Sequence, residues 1–406
     1  MKVAYFCTSF PVLSETFLQR EVQALSSRTD LSIKLYSLWG GSNTWNGVQI
    51  QRIQKWKLLS LLWLIPYEAI RSPKGFIKTA KTLFSKKPTS WLNFWENMLG
   101  TGIGFFLARS HRKEQIDKLH ATWASMPAAT ALTLHHLLGT PFSFGAHAYD
   151  IFENDGDWLL GEKLKAAAFV HTSTQNAARV LELKTHAGDK IKLIRRGLAA
   201  FPPFQKSLRS TGCLHLLTVG RLVEKKGYHH QLKIYRSLKE KGVPFSARIL
   251  GEGPLRQKLQ STIDEYGLKE HVTLHGAVSQ QDVFKHYTWA DFFIFTGIIA
   301  SNGDRDGLPN VIPEAMACGV TVLTSNVAGT LEAIHDGKTG MCCPVEDAEY
   351  WAKTLQELHN NAELNESLRT QARDWVLEHF DAHKNAEKLV THLKQSAKQG
   401  STFAKK

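Results

Sequence analysis

Apolar positions along this chain follow two patterns, and their alternation sets the expected architecture. Short apolar runs bounded by turn residues predict strands at 2–8, 31–38, 118–122, 142–146, 166–172 and 191–194. Between them, apolar residues return every three or four positions. Phe17, Leu18, Val22 and Leu25 form one such stripe and predict a helix over 14–27, with Ser14 as its cap. Helices are also expected at 97–108, 126–138 and 174–183. A linker around 200–212 contains Pro202 and Pro203, and after it the pattern restarts. Strands at 214–219, 246–250, 272–274, 292–295, 320–324 and 340–342 alternate with helices at 228–239, 255–266, 280–287, 314–317, 331–335 and 348–360. Residues 362–397 read as helical with a break near 380–382. Such alternation predicts α/β domains with mostly parallel, doubly wound sheets, whose ligand crevice lies at the carboxyl ends of the strands. A chain of 406 residues is too long for one ordinary core. The expected domains are 1–205 and 206–380, with 381–406 a C-terminal helix crossing back to the first domain.

Composition narrows the class. The chain is 43% apolar and 21% charged, a globular balance. Five scattered cysteines without a C-x-x-C pair argue against a disulfide framework or structural zinc, and for a reducing compartment. The apolar run after Met1-Lys2 is too short for a secretory signal and reads as a buried first strand. The formal charge is +13. Between Gln51 and Ser90 nine Lys or Arg residues face one acid, Glu68, and are interleaved with Trp56, Leu59, Leu62, Trp63, Tyr67, Phe76 and Phe84. That mixture suits a helix lying in an anionic membrane interface better than a nucleic-acid phosphate stripe. The other reading is core-facing helices with a basic outer face. The run Leu58–Pro66 is too short to span a bilayer.

Candidate chemistry gathers in a few loops. Asp306 and Glu314 bracket Gly307, Leu308, Pro309 and Asn310, a tight turn that exposes backbone amides before an apolar helix stopped by Gly319. Carboxylates on either side of free amides suit a ligand with hydroxyls at both ends and an anion between. Gly220 to Gly227 encloses Arg221 and Lys226, cations that can meet one diphosphate, or simply a solvated basic loop. Gly251-Glu252-Gly253 and Gly276 follow strands and mark a close backbone approach or plain turns; Arg256 breaks the dinucleotide fingerprint. His147 follows a strand and is expected to face a crevice, with Asp150 as its orienting group or a surface acid; His120 is the competing histidine. Ser9, Ser14, Glu15 and Thr16 lie in the loop before the first helix, where hydroxyls and helix-start amides can meet a phosphate or an acceptor hydroxyl. No metal-binding motif, P-loop or nucleophile elbow is present, and Asp304-Arg305-Asp306 reads as an ion pair or sugar contact.

These residues resemble the retaining nucleotide-sugar glycosyltransferases of the family 4 type. Asp306, Glu314 and the run Ala315 to Gly319 match that family's paired acids and following Ala-Met-Ala-x-Gly. Arg221 and Lys226 match its diphosphate pair, and His147 its sugar-side histidine. Pro11 to Phe17 and Gly303 to Gly307 look like enzymes of bacterial exopolysaccharide, colanic-acid-like polymer or lipopolysaccharide synthesis. The resemblance implies the GT-B fold, two Rossmann-like domains facing across a cleft. It implies a donor that is a UDP- or GDP-sugar, no cofactor and no metal. It further implies a saccharide or polyprenyl-linked oligosaccharide acceptor and a peripheral place at the inner face of the plasma membrane. Two departures stand out: Asp306 where the family usually has Glu, and Phe10-Pro11 in place of a Gly-Gly loop. A nucleotide-sugar epimerase and a non-catalytic sugar-nucleotide or membrane-surface binding protein remain the alternatives.

Overall fold

Strands and helices alternate through both halves of the computed structural model, which describes residues 1–12, 15–88, 90–204, 212–327 and 329–403. The chain divides into one unit made of Met1–Ala199 with the segment from Ala382 onward, and a second made of Ala200–Asp381. The five cysteines are free.

The first unit runs β1 (Lys2–Cys7), α1 (Thr16–Ser26), β2 (Ser32–Ser37), β3 (Thr44–Trp45), β4 (Val48–Arg52), α2 (Leu61–Arg71), α3 (Pro73–Leu83), α4 (Trp91–Glu114), β5 (Lys118–Ala121), α5 (Met126–Leu138), β6 (Phe142–Gly145), α6 (Tyr149–Phe152), α7 (Leu160–Ala166), β7 (Phe169–Thr172), α8 (Gln175–Thr185) and β8 (Ile191–Leu193). Its sheet has the order β3-β4-β2-β1-β5-β6-β7-β8. All pairs are parallel except β3–β4. That hairpin was not expected. Asn46 and Gly47 both take positive φ at its turn, 44° and 79°, the twist that joins two antiparallel strands most tightly. Helix α4 begins six residues earlier than its apolar stripe suggested. It lies close on α5 because Gly100 and Gly104 leave no side chain there: a Cβ on Gly100 would sit 2.4 Å from the Met126 carbonyl oxygen. Residue 166 ends α7 rather than opening a strand.

The second unit runs β9 (Leu214–Val219), α9 (Tyr228–Glu240), β10 (Phe245–Leu250), α10 (Arg256–Glu265), β11 (Val272–Gly276), α11 (Gln280–Trp289), β12 (Phe292–Phe295), α12 (Val311–Cys318), β13 (Thr321–Ser325), β14 (Met341–Cys343), α13 (Ala348–Asn360) and α14 (Ala362–His379). Its sheet is wholly parallel, in the order β11-β10-β9-β12-β13-β14. Strands β9 and β12 have all four or nearly all of their central residues buried, the mark of a sheet covered on both faces. The chain winds outward from β9 through β10 to β11, then returns to the other side of β9 as β12. A crevice opens where the order reverses, outside the carboxyl ends of β9 and β12.

The final helix, α15 (Ala382–Phe403), belongs to the first unit. Ala386, Leu389, Val390 and Leu393 join Leu18, Val22 and Leu25 of α1 in one apolar cluster. Ion pairs Lys394–Asp30 at 2.6 Å and Arg28–Glu387 at 3.9 Å flank it. Both units are thus Rossmann-like α/β domains, the construction of the GT-B fold.

Candidate functional site

The reversal point of the second sheet gathers charge. The loop after β9 carries Lys225 and Lys226, and the loop after β12 carries Asp304 and Asp306. Lys226 Nζ lies 2.6 Å from Asp306 Oδ2. Lys225 Nζ lies 2.9 Å from Asp304 Oδ2 and 3.6 Å from Asp306 Oδ1. The Lys225 and Lys226 side chains are only 6% and 12% exposed, so these pairs work in a partly dry setting where charge is screened little. Burial pushes the Asp306 carboxyl up, but Lys226, Lys225 and Arg221 together pull it below the usual aspartate range. It is therefore ionised at neutral pH.

The backbone explains why the loops meet. Thr296 Oγ1 donates to the carbonyl of Gly227 at 3.0 Å, and the Ile298 amide donates to the carbonyl of Lys225 at 2.9 Å. Glu224 accepts from the amide and hydroxyl of Ser301 at 3.1 and 3.3 Å. Gly227 has φ of 65°, and a Cβ there would lie 1.8 Å from the Thr296 carbonyl oxygen. Only glycine permits this approach.

Arg221 differs from its neighbours. Its side chain is exposed and forms no ion pair or hydrogen bond among the described residues. Gly307, Leu308 and Asn310 lead into α12, and their amides donate to no carbonyl among the described residues. Glu314 sits in the first turn of α12, buried, and accepts from Tyr287 Oη at 3.3 Å. Tyr287 on α11 also donates to the Val311 carbonyl at 3.2 Å, tying α11 to the start of α12. The crevice end of this sheet thus offers the exposed Arg221 guanidinium, the ammoniums of Lys225 and Lys226, the carboxylates of Asp304, Asp306 and Glu314, and amides without a backbone acceptor among the described residues.

Gly251 and Gly253 have a different role from a ligand approach. A Cβ on Gly251 would lie 1.9 Å from the Gly220 carbonyl oxygen, and one on Gly253 would lie 2.5 Å from that of Leu222. They let the β10 loop press against the β9 loop that carries Arg221. Glu252 is half exposed and pairs with Arg256 at 3.0 Å. Gly276 has φ of 79° and sits at an irregularity in the β10–β11 pairing.

In the first unit, His147 follows β6 as expected, but its ring is buried. It packs edge-on against Trp123 and His171, at centroid distances of 5.5 and 5.0 Å. Burial, then Arg196, His171 and His120, hold its imidazole far below the ordinary histidine value, so it is neutral. Asp150 does not orient the ring. Its carboxylate accepts from the backbone amides of His147, Ala148 and Ala124 at 3.0, 2.9 and 3.0 Å, which fixes the loops after β5 and β6. His120 is fully buried within β5, and its Nδ1 meets Ser143 Oγ at 2.8 Å.

Ser9 Oγ donates to the Trp39 carbonyl at 3.0 Å, so that hydroxyl is engaged by its own chain. Glu15 precedes α1 without capping it through its side chain, Thr16 is the first helical residue, and Ser14 lies outside the described residues. Phe10-Pro11 has its glycines across the way: a Cβ on Gly41 would lie 1.9 Å from the Phe10 carbonyl oxygen.

Sequence reasoning missed Lys225 and Tyr287. The Lys-Lys doublet was visible, but a loop has no periodicity to say which lysine turns inward. Tyr287 ends the helix expected over 280–287, and nothing in its spacing marks a contact with Glu314 across neighbouring elements.

Fold and site together define a chain of two Rossmann-like units, the second of which gathers paired lysines and aspartates where its strand order reverses. Residues 203–375 match the family described as glycosyl transferases group 1. The chain is 32% identical over 207 residues to the putative colanic acid biosynthesis glycosyltransferase WcaL of Salmonella typhimurium, covering 50% of this chain and 51% of that protein. It is 30% identical over 213 residues to the amylovoran biosynthesis glycosyltransferase AmsK of Erwinia amylovora, covering 52% of each. The chain therefore spans about half the length of these curated relatives. Among solved structures it is similar to Anabaena Alr3699/HepE in complex with UDP and glucose, with a TM-score of 0.71, 13% identity and coverage of 97% of this chain and 99% of that one. Sucrose-phosphate synthase of Thermosynechococcus elongatus gives a TM-score of 0.72 at 15% identity, over 97% of this chain and 98% of that one. Likeness at that level of identity establishes the fold.

Proposed function

We propose that this chain is a retaining glycosyltransferase. It would move a sugar from a nucleoside diphosphate sugar to a saccharide or lipid-linked saccharide acceptor in cell-surface polysaccharide synthesis. The observation that carries the reading is the crevice at the β9–β12 reversal, inside the family-matched segment. There Arg221 is exposed and makes no ion pair or hydrogen bond among the described residues, Lys226 is held by Asp306, and Glu314 is buried at the start of α12.

A lysine ammonium has three N–H donors. One meets Asp306, and the others remain for phosphate oxygens. Arg221 offers a planar fork for the same diphosphate. As the bond from the anomeric carbon to phosphate oxygen breaks, negative charge grows on the leaving diphosphate, and these cations stabilise it. The acceptor hydroxyl attacks from the same face, forms the new anomeric C–O bond and gives its proton to the leaving phosphate oxygen. Glu314 would hold the ribose hydroxyls and Asp306 the donor sugar. His147, kept neutral, would bind or orient the transferred sugar.

The first unit supports a membrane-surface acceptor. All nine basic side chains between Gln51 and Ser90 are exposed. The one acid, Glu68, is buried and paired with Arg112 on α4, so it is withdrawn from that surface. Trp63 is 81% and Ile70 84% exposed, and exposed Trp91, Leu92 and Trp95 continue the apolar patch onto α4. A groove of about 500 Å³ beside α3 is lined by Lys74, Lys78 and Lys81 together with Ile77 and one acid, Glu162. Among the described residues no helix is long and apolar enough to cross a membrane. The proposal is a peripheral seat on an anionic leaflet at the cytoplasmic face.

The deciding experiment incubates the full chain with UDP- and GDP-sugars and a lipid-linked saccharide acceptor. Nucleoside diphosphate release and sugar transfer are followed together, with the product linkage read by NMR. Acceptor-dependent release with retained anomeric configuration is expected. Donor binding without transfer to any acceptor would favour a binding protein, and an altered sugar without transfer would favour an epimerase.

A further inference from the structure

A polar cluster under α1 in the first unit has no part in the reading above. Glu21 of α1, His120 of β5 and His171 of β7 bring one ligand atom each within 4.8 Å of one another. We infer that these three side chains form a binding site for a divalent transition-metal ion, zinc foremost, that ties α1 to the sheet.

Unmet hydrogen-bonding capacity points there. His120 is 0% and His171 3% exposed. Nε2 of His120 and both ring nitrogens of His171 have no hydrogen-bond partner among the described residues. A neutral imidazole always carries one N–H donor and one lone pair, and burying either unmatched is costly. Three orphaned ring nitrogens in one place are unusual, because buried polar atoms are nearly always satisfied.

The supporting contacts are those of a metal site. His120 Nδ1 meets Ser143 Oγ at 2.8 Å, which can fix the tautomer that leaves Nε2 with its lone pair. Glu21 Oε1 accepts from Tyr5 Oη, so the carboxylate is oriented as well. The strand register sets the histidines on one face: Tyr5 pairs with His120, His120 with Ser143, and Gly145 with His171. A Cβ on Gly145 would lie 2.9 Å from His171 Nε2, so the glycine makes room for the ring. Two imidazoles and one carboxylate are a donor set that zinc accepts, with a fourth position left for water. Tetrahedral zinc with bonds of about 2.0–2.1 Å places its ligand atoms about 3.4 Å apart. Burial raises the Glu21 carboxyl above the usual glutamate range, while the Tyr5 hydroxyl and Arg196 pull it back down.

The test is metal binding, with no donor or acceptor present. The full chain is stripped with a chelator, then titrated with zinc by calorimetry and with cobalt by visible absorption. One equivalent of zinc and the d–d bands of four-coordinate cobalt are expected. His171→Ala should remove that equivalent, Glu21→Gln should weaken it, and Ser143→Ala should weaken it roughly tenfold, as loss of a supporting contact does. Zinc should raise the melting temperature of the parent and not that of His171→Ala. A parent that binds no equivalent overturns the inference. So does binding that survives in His171→Ala and Glu21→Gln but is lost in a His229→Ala/His230→Ala double variant, which marks an adventitious ion only at that half-exposed pair. If His171→Ala does not fold, Glu21→Gln and Ser143→Ala decide alone: unchanged affinity in both refutes the site.

Discussion

The Lys226 ammonium and the Asp306 carboxylate are already paired before any anion arrives, and this shapes what single substitutions should do. Asp306→Asn removes a negative charge beside the expected phosphate position and keeps the shape. Nucleoside diphosphate should bind at least as tightly as to the parent, while sugar transfer falls at least tenfold. Calorimetry and a transfer assay separate the two. Weaker nucleotide binding would mean that Asp306 acts chiefly by positioning Lys226. Lys226→Ala should weaken both. Glu314→Gln should lose about 1–3 kcal/mol of nucleoside diphosphate affinity, the scale of a charge-assisted hydrogen bond. Unchanged affinity in the folded variant would rule out the ribose assignment. His147→Ala should leave nucleoside diphosphate affinity intact and slow transfer. An equal loss of both would make the residue structural, consistent with its packing on Trp123.

Among elements, the β9 and β10 loops are locked together by glycines, so their conformation is set by backbone contact. Gly251 has φ of 140°, and its Cβ position is 1.9 Å from the Gly220 carbonyl oxygen. Gly251→Ala should cost about 2 kcal/mol or more, since strain and collision act together. Urea unfolding measures it; a cost under about 0.5 kcal/mol, the range of a neutral surface change, would show that the loop yields easily. Gly242, with φ of 68° and open space around it, is the control for φ alone. Much at this scale could be read in advance. The run Phe292 to Phe295 is wholly apolar and could only be a buried strand, and Ala348 to Asn360 showed a clean helical stripe. The seven-residue helix α7 was missed because it is too short to display a period. The β3–β4 hairpin did announce itself through Asn46-Gly47, but its strands are too short and polar to alternate visibly. The paired acids Asp306 and Glu314 were legible because they share one turn. The contacts of Lys225 were not, because they depend on two loops meeting across neighbouring strands. Glu21, His120 and His171 lie on three elements far apart in sequence, and no local spacing could join them.

For the whole molecule, pH and surface charge give two tests. His111 is buried against Phe6 and Tyr36, and its Nδ1 contacts the Leu107 carbonyl at 3.1 Å. Burial lowers its pKa to about 4, with the Leu107 contact and Glu114 opposing. Between that value and the unfolded value of about 6.5 the unfolded chain binds the proton and the folded chain does not. Stability should therefore be full above pH 6.5 and fall as pH drops toward 4, by on the order of 3 kcal/mol from this residue. His111→Leu should flatten that slope in denaturant titrations at pH 7 and pH 4.5; an unchanged slope would place the acid sensitivity elsewhere. The basic and aromatic face should carry the chain onto anionic vesicles at low salt and release it at high salt. Retention in the supernatant with anionic vesicles would refute the membrane seat and leave the crevice in the second unit untouched.

Helix α15 carries a consequence for synthesis. A ribosome makes the second unit in one uninterrupted stretch, so that unit can close as soon as Asp381 has emerged. The first unit begins earlier yet finishes later, because the apolar face of α1 waits for Leu389, Val390 and Leu393. The half of the protein translated first is thus the last to be complete. During that interval it displays both the uncovered α1 face and the aromatic patch around Trp63, and it is then that a nascent chain most needs protection from its neighbours.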